Sequence, residues 1–197
     1  EKIKLELDEL SKNPKNIKDY SRFHKDGKKH IGLATPLVRK ISSEKFKEIK
    51  TFSTKQIFAI AEKLVATKKS SYQNIAFDWA FRIKNRYQKK DFKIFENWIK
   101  NYVDTWGSCD DLCAHALGGF IYQFPEFLTQ IKKWSRSSNK WFRRASAVVL
   151  IYSLRRGKNL KSAFWIAEIL LKDSEDLVQK GYGWMLKEGS RYYPNEV

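Results

Sequence analysis

Apolar residues recur along this chain at intervals of three and four, and no segment sustains the alternation of a half-buried strand. Helix-start signals recur as regularly. Thr35 before Pro36 supplies an N-cap and an N1 proline for a helix running to about Glu48. Ser53 with Gln56, and Ser70 with Gln73, have capping-box spacing and predict helices over about 54–67 and 71–87. Asp91 caps a predicted helix to about Val103, and Ser108, with Asp111 at the box position, caps one through Tyr122. Pro125 starts a short helix and Ser138 a long one to about Leu154. Asn159 starts another to Leu171, and Asp173 or Ser174 caps the last, to about Glu188. Residues 1–30 read as a less regular helical segment, with the lysine-rich stretch Lys25–His30 around Gly27 as a loop.

These starts are about 17–20 residues apart, so helix pairs would repeat at about 35–40 residues, the range of two-helix solenoid units. The predicted class is all-α: a single domain over residues 1–197, with HEAT-like antiparallel helix pairs over 31–190. The period is one of helix lengths and not of residue identities, so alone it suits any helical array. A solenoid would add a concave surface lined by one helix of each pair.

Composition changes the picture mainly through charge. The chain has 42% hydrophobic and 15% aromatic residues, seven of them Trp, which is enough apolar material to exclude disorder. Lys and Arg number 39 against 22 Asp and Glu, a formal net charge of +17. Such an excess repels itself in a compact state and points to a polyanionic partner. Nucleic acid fits best, docked on a concave basic face. An anionic membrane surface, or lysine that merely covers exposed helix faces, accounts for the charge less well. Cys109 and Cys113 would share a helix face as small buried hydrophobes, and together with His115 they are too few and too close for structural zinc. No signal peptide is visible and no apolar run approaches ~20 residues, so the expectation is a soluble, cytoplasmic protein, associated with the nucleoid when on DNA.

Three segments place polar or small residues where packing alone would not. On a helix from Ser108, the residues Cys109, Leu112, Cys113, Ala116 and Phe120 form the apolar face, with Asp111, His115 and Tyr122 opposite. Asp110 falls at the apolar margin, four residues after Trp106. It reads either as a first-turn carboxylate complementing the helix dipole or as a shielded anion held for chemistry. In Trp141–Phe142–Arg143–Arg144–Ala145–Ser146, Arg144 lies between Val148 and Ile151 on a nearly apolar helix, with Lys140 and Arg155 in its lane. Its anion is either an internal carboxylate, which would remove any role toward DNA, or a phosphate. In Lys180–Gly181–Tyr182–Gly183–Trp184, two glycines inside one helix each cost about 1 kcal/mol relative to Ala. Close helix packing or the approach of another backbone would offset that cost.

At these segments the chain resembles the AlkD-type DNA alkylation repair enzymes. Trp106 and Asp110 match the head of that family's catalytic helix. Trp134–Ser135–Arg136–Ser137–Ser138–Asn139–Lys140–Trp141–Phe142–Arg143–Arg144 matches its W-S-x-S-x-N-x-W-x-x-R signature. Asp176 to Glu188 resembles its final helix, and Ile31–Gly32–Leu33–Ala34–Thr35–Pro36 with Arg39 resembles an N-terminal G-x-x-x-P-x-x-R segment. The likeness covers about residues 30–190.

The resemblance implies a HEAT-like, monomeric, monofunctional glycosylase that removes N3- and N7-alkylated purines from double-stranded DNA without flipping the base and without metal or cofactor. It assigns catalysis to Asp110, with Trp106 and Trp184 against the deoxyribose, and a phosphate grip to Arg144. Arg143, Trp141, Lys140, Arg155 and Lys180 complete the expected DNA-binding set. Tyr20 or Phe23 would supply an N-terminal aromatic, although the spacing there departs from the family pattern. The competing reading is a non-catalytic DNA-binding repeat protein, for which solenoid and charge would suffice.

Overall fold

The computed structural model describes residues 2–23 and 30–197. Lys25–Lys29 of the predicted loop, and the Phe23 side chain, lie outside the described residues. Helices dominate, so the all-α class holds. The chain forms two compact units, residues 1–79 and 80–197, with the division inside α4.

The first unit contains α1 (Lys2–Leu10), α2 (Thr35–Ile49), α3 (Thr54–Val65) and most of α4 (Ser70–Arg82). It also holds a small antiparallel ribbon that the pattern did not predict. Strand β1 (Ile17–Asp19) pairs with β2 (Ile31–Leu33), Ile17 opposite Leu33. Three residues per strand are too few to display a two-residue period. The predicted caps fare unevenly here. Ser53 and Gln56 form the capping box. Thr35 lies inside α2, after Ala34 as the capping position, and its hydroxyl sits 3.2 Å from the Tyr20 hydroxyl. Ser70 is likewise inside its helix, and Gln73, buried, donates its backbone N–H to Lys69 O. The interior of α4 is pinned by polar contacts: Tyr72 donates to Asp8 at 2.6 Å and the Trp79 indole to Ser42 O at 3.0 Å.

The second unit holds α5 (Phe92–Asn101), α6 (Trp106–Asp111), α7 (Gly118–Gln123), α8 (Leu128–Trp134), α9 (Lys140–Val148), α10 (Ile151–Leu154), α11 (Leu160–Leu170) and α12 (Asp176–Gly189). A ladder of rings ties α5, α7 and α8 together: Phe92 stacks on Phe127 at 4.5 Å and on Trp134 at 5.5 Å, and Phe120 meets Phe95 at 5.7 Å. Trp134 meets Phe142 at 5.0 Å and so fixes α9, which packs against α5, α6, α8, α11 and α12. The single predicted helix over 138–154 is two, α9 and α10, with Asn139 rather than Ser138 as its N-cap. Asp91 spends its side chain on the Gln88 backbone N–H instead of capping α5. Among the described residues no helix is long and apolar enough to cross a membrane.

Candidate functional site

The candidate site begins with how α6 starts. Thr105 is the N-cap and Ser108 the third helical residue, each bonding the other's backbone N–H. The helix therefore starts three residues earlier than the Ser108 signal predicts. Trp106 enters the first turn, and Asp110 moves into the second, where the dipole no longer accounts for it. Beyond Asp111 the helix widens into a π-helical stretch, Leu112–Leu117, before α7. A Cβ on Gly118 would come within 2.7 Å of Cys113 O and of Tyr152 Cβ, so only glycine allows this crossing against α10. Such π-stretches often mark functional sites. The predicted apolar face is buried as expected, with both cysteines free and buried inside it.

The anion that Arg144 requires is Asp110. Arg144 Nε donates to Asp110 Oδ1 at 2.8 Å and Nη2 to Oδ2 at 2.7 Å, while Nη1 donates to the Leu177 carbonyl of α12. The Arg144 side chain is 6% exposed and that of Asp110 15%. These bonds commit three of the guanidinium's five N–H donors inside the protein, where the resemblance assigns Arg144 a phosphate grip. Burial raises the Asp110 carboxyl above its ordinary range, against the pull of Arg144. Burial works most strongly against the Arg144 charge, but hydrogen bonding to Asp110 and the charge of that carboxylate together outweigh it and hold the guanidinium above its usual value. Cys109 and Cys113 back the pair, and burial drives the Cys113 thiol well up.

Gly181 explains itself through Arg144. A Cβ there would lie 3.1 Å from Arg144 Cγ and 3.5 Å from Nη1, so the glycine makes room for the guanidinium. Gly183 does not: it is exposed, and a Cβ would meet nothing within 4 Å. Trp184 follows it, half-buried, with its indole N–H donating to Glu188 Oε1 at 3.1 Å. The other oxygen of that buried carboxylate accepts from Arg155 Nε at 2.9 Å and from Arg191 Nη1 at 3.1 Å. These bonds, Arg155 first, hold the Glu188 carboxyl below its ordinary range.

The remaining expected DNA contacts sort by what already holds them. Arg143 is clamped by Asp173 at 2.6 and 3.1 Å and donates to Ser137 O and Ser138 O. Like Arg144 it is tied to a carboxylate inside the protein. Lys140, which lies 5.5 Å from the Trp141 ring centre, pairs with Glu175 at 3.3 Å; Lys180 pairs with Asp176 at 2.7 Å. Both are surface pairs of the kind worth about 0–1 kcal/mol and readily exchanged. Tyr20 spends its hydroxyl on the start of α2, accepting from the Thr35 backbone N–H at 3.1 Å. His115, on the polar side as predicted, sits 3.4 Å from Asp111 Oδ1, and that hydrogen bond raises its pKa.

Sequence reasoning missed Glu188, Arg191 and Asp173. The first two carry a signal, since Glu188 stands four residues after Trp184 and three before Arg191 on one helix face. Asp173 meets Arg143 only through the tertiary fold. Among the described residues no group of three or more His, Cys, Asp or Glu is placed to hold a metal ion. The family model described as DNA alkylation repair enzyme matches residues 3–197. No curated protein matches the chain.

Proposed function

The chain belongs to the DNA alkylation repair enzyme family, and from that membership and the surroundings of Asp110 we propose that it is a monofunctional DNA glycosylase acting on cationic N3- or N7-alkylpurines in duplex DNA. The observation that carries the reading is a carboxylate held by both oxygens in the fork of a buried arginine.

An N3- or N7-alkylated purine is already positive, so it departs without a general acid. As the C1′–N bond breaks, its electron pair leaves with the base, which becomes neutral, and positive charge develops on the sugar. A fixed carboxylate beside C1′ stabilises that charge without reorganising during the reaction. Water then adds to C1′ and its proton passes to Asp110 or to solvent, leaving an abasic sugar and a free base. Trp106 and Trp184 would add the attraction of their ring faces to the same cationic sugar.

In this reading Arg144 is a positioning residue. It aims Asp110 and offsets the burial that would otherwise neutralise it. In this reading the catalytic group is the Asp110 carboxylate and not a lysine amine, so the mechanism contains no Schiff base and no strand cleavage. Because the leaving group supplies its own charge, selection rests on the lesion's labile bond. The base need not be extruded into an enclosing pocket.

The test is release of N7-methylguanine or N3-methyladenine from duplex DNA, comparing the wild type with Asp110→Asn, which keeps an acceptor for Arg144. Equal release by both would remove Asp110 from the mechanism. No release by the wild type, with salt-sensitive duplex binding retained, would leave the non-catalytic DNA-binding reading.

A further inference from the structure

With three Arg144 donors committed to Asp110 and the Leu177 carbonyl, other cations are better placed to grip a phosphate. We propose that Arg155 and Arg191, both held on the buried carboxylate of Glu188 beside Trp184, form the phosphate-binding site for the DNA strand carrying the lesion. This assignment rests on duplex DNA being the ligand of the proposed function.

Glu188 is buried, its side chain 6% exposed, yet its two arginine partners reach solvent: Arg155 is 39% and Arg191 64% exposed. One arginine and an indole N–H would suffice to satisfy this carboxylate. Two arginines leave the cluster with a net positive charge at the surface. Both bonds end on the same oxygen, so the bonded nitrogens lie within about 6 Å of each other, near enough for one phosphate to bridge. Each guanidinium commits one N–H to Glu188 and retains four others.

The other oxygen of Glu188 fixes the Trp184 indole, so one carboxylate sets the register between two cations and an aromatic face. A nucleotide presents that same pairing, an apolar sugar face with a phosphate attached. The exposed, unobstructed Gly183 stands next to Trp184. An anchored arginine loses little freedom on meeting phosphate, which favours a preorganised contact over a mobile surface lysine.

The experiment measures affinity for a duplex bearing a tetrahydrofuran abasic analogue, which is not cleaved, by fluorescence anisotropy across a salt series. It compares the wild type with R155Q, R191Q and the double variant. Gln can still donate to Glu188. K93Q, which neutralises an exposed lysine on α5, serves as the control. The double variant is expected to weaken binding about tenfold or more, as loss of charge-assisted hydrogen bonds does. Its plot of log K against log salt is expected to be shallower by about 0.9 per phosphate lost. K93Q should change neither.

Unchanged affinity and slope in the double variant, or an equal change in K93Q, overturn the proposal. Thermal melts check folding, and if the double variant melts early, R191Q alone decides by the same criteria, because Arg191 is the more exposed of the two. Failure of the wild type to release base would sink the glycosylase reading without touching this result. Normal release with an unaltered salt slope would sink the phosphate site alone.

Discussion

Replacing Asp110 by alanine should cost stability as well as activity, and the size of that loss measures how far the pair is withdrawn from water. Arg144 and Asp110 are both well under one-third exposed, so screening by solvent does not erase their interaction. Removing one partner leaves the Arg144 charge with only the Leu177 carbonyl and solvent beyond a thin edge. Breaking such a pair costs about 3–5 kcal/mol. In a chain of 197 residues, with each kcal/mol worth roughly 2–4 °C, the midpoint should fall by about 6–20 °C. Arg144→Met behaves differently because the stranded group can change its charge. With the arginine gone, burial alone acts on Asp110 and its folded pKa climbs further above the unfolded value. For a carboxyl raised in this way, the stabilising contribution is complete below the unfolded pKa and lost as pH rises through the folded one. Arg144→Met should therefore be least stable at neutral pH and recover on acidification, whereas Asp110→Ala should not recover. The double variant, with both charges removed, should be more stable than Asp110→Ala. Thermal and urea unfolding at several pH values measure all three. An Asp110→Ala protein melting within about 2 °C of the wild type, under 1 kcal/mol, would refute the buried pair and with it the positioning role of Arg144.

Gly183→Ala should raise the melting temperature, since an exposed helical glycine with an open Cβ position gives up to about 1 kcal/mol on becoming alanine. The same variant should release base more slowly, because the space it fills adjoins Trp184; unchanged kinetics would mean that no strand approaches there. Gly181→Ala should lower both stability and rate, since the new methyl group must displace the Arg144 stem by a few tenths of an ångström; equal rates would show that the fork tolerates displacement. Base release should fall on acidification through a pKa above the ordinary Asp range, because burial raises Asp110. Glu188 affects stability in the opposite sense to a raised carboxyl: its depressed carboxyl stabilises the fold above its unfolded pKa, and that contribution is lost as pH falls through the folded one. A rate profile with no acid limb above the Asp range would argue against Asp110.

Helix content was legible because it rests on local chemistry. The capping box at Ser53 and Gln56 needs only residues three apart, and the apolar face of Cys109, Leu112, Cys113, Ala116 and Phe120 needs only a period. What escaped depends on distant partners or on choices among equivalent local options. Thr105 and Ser108 can each cap, and the fold uses both, which moves Asp110 nearly one turn further into the helix. The π-stretch answers to Gly118 meeting Tyr152, a contact between separate helices, so no wheel drawn at a constant angle could contain it. The sequence raised the right question at Arg144, internal carboxylate or phosphate, and could not answer it, because Asp110 lies 34 residues away.

Under the proposed function, the Arg144–Asp110 pairing divides the labour around a lesion differently from the resemblance. A carboxylate intended to meet a cationic sugar has to be dry enough for its charge to act at close range, and dryness pushes it toward protonation. A permanent counterion behind it resolves the conflict, since arginine does not give up its proton, and it fixes direction by binding both oxygens. An arginine used in this way has fewer donors left to hold a phosphate. The cations that do so must lie closer to solvent, yet long side chains lose entropy when they settle on a strand. A buried glutamate that has already settled them removes much of that cost. Two acid–arginine arrangements thus serve opposite ends: at Asp110 the buried arginine serves the carboxylate, and at Glu188 the buried carboxylate serves the arginines. The exposures of the five groups, low for Arg144 and Glu188 and higher for their partners, follow that order.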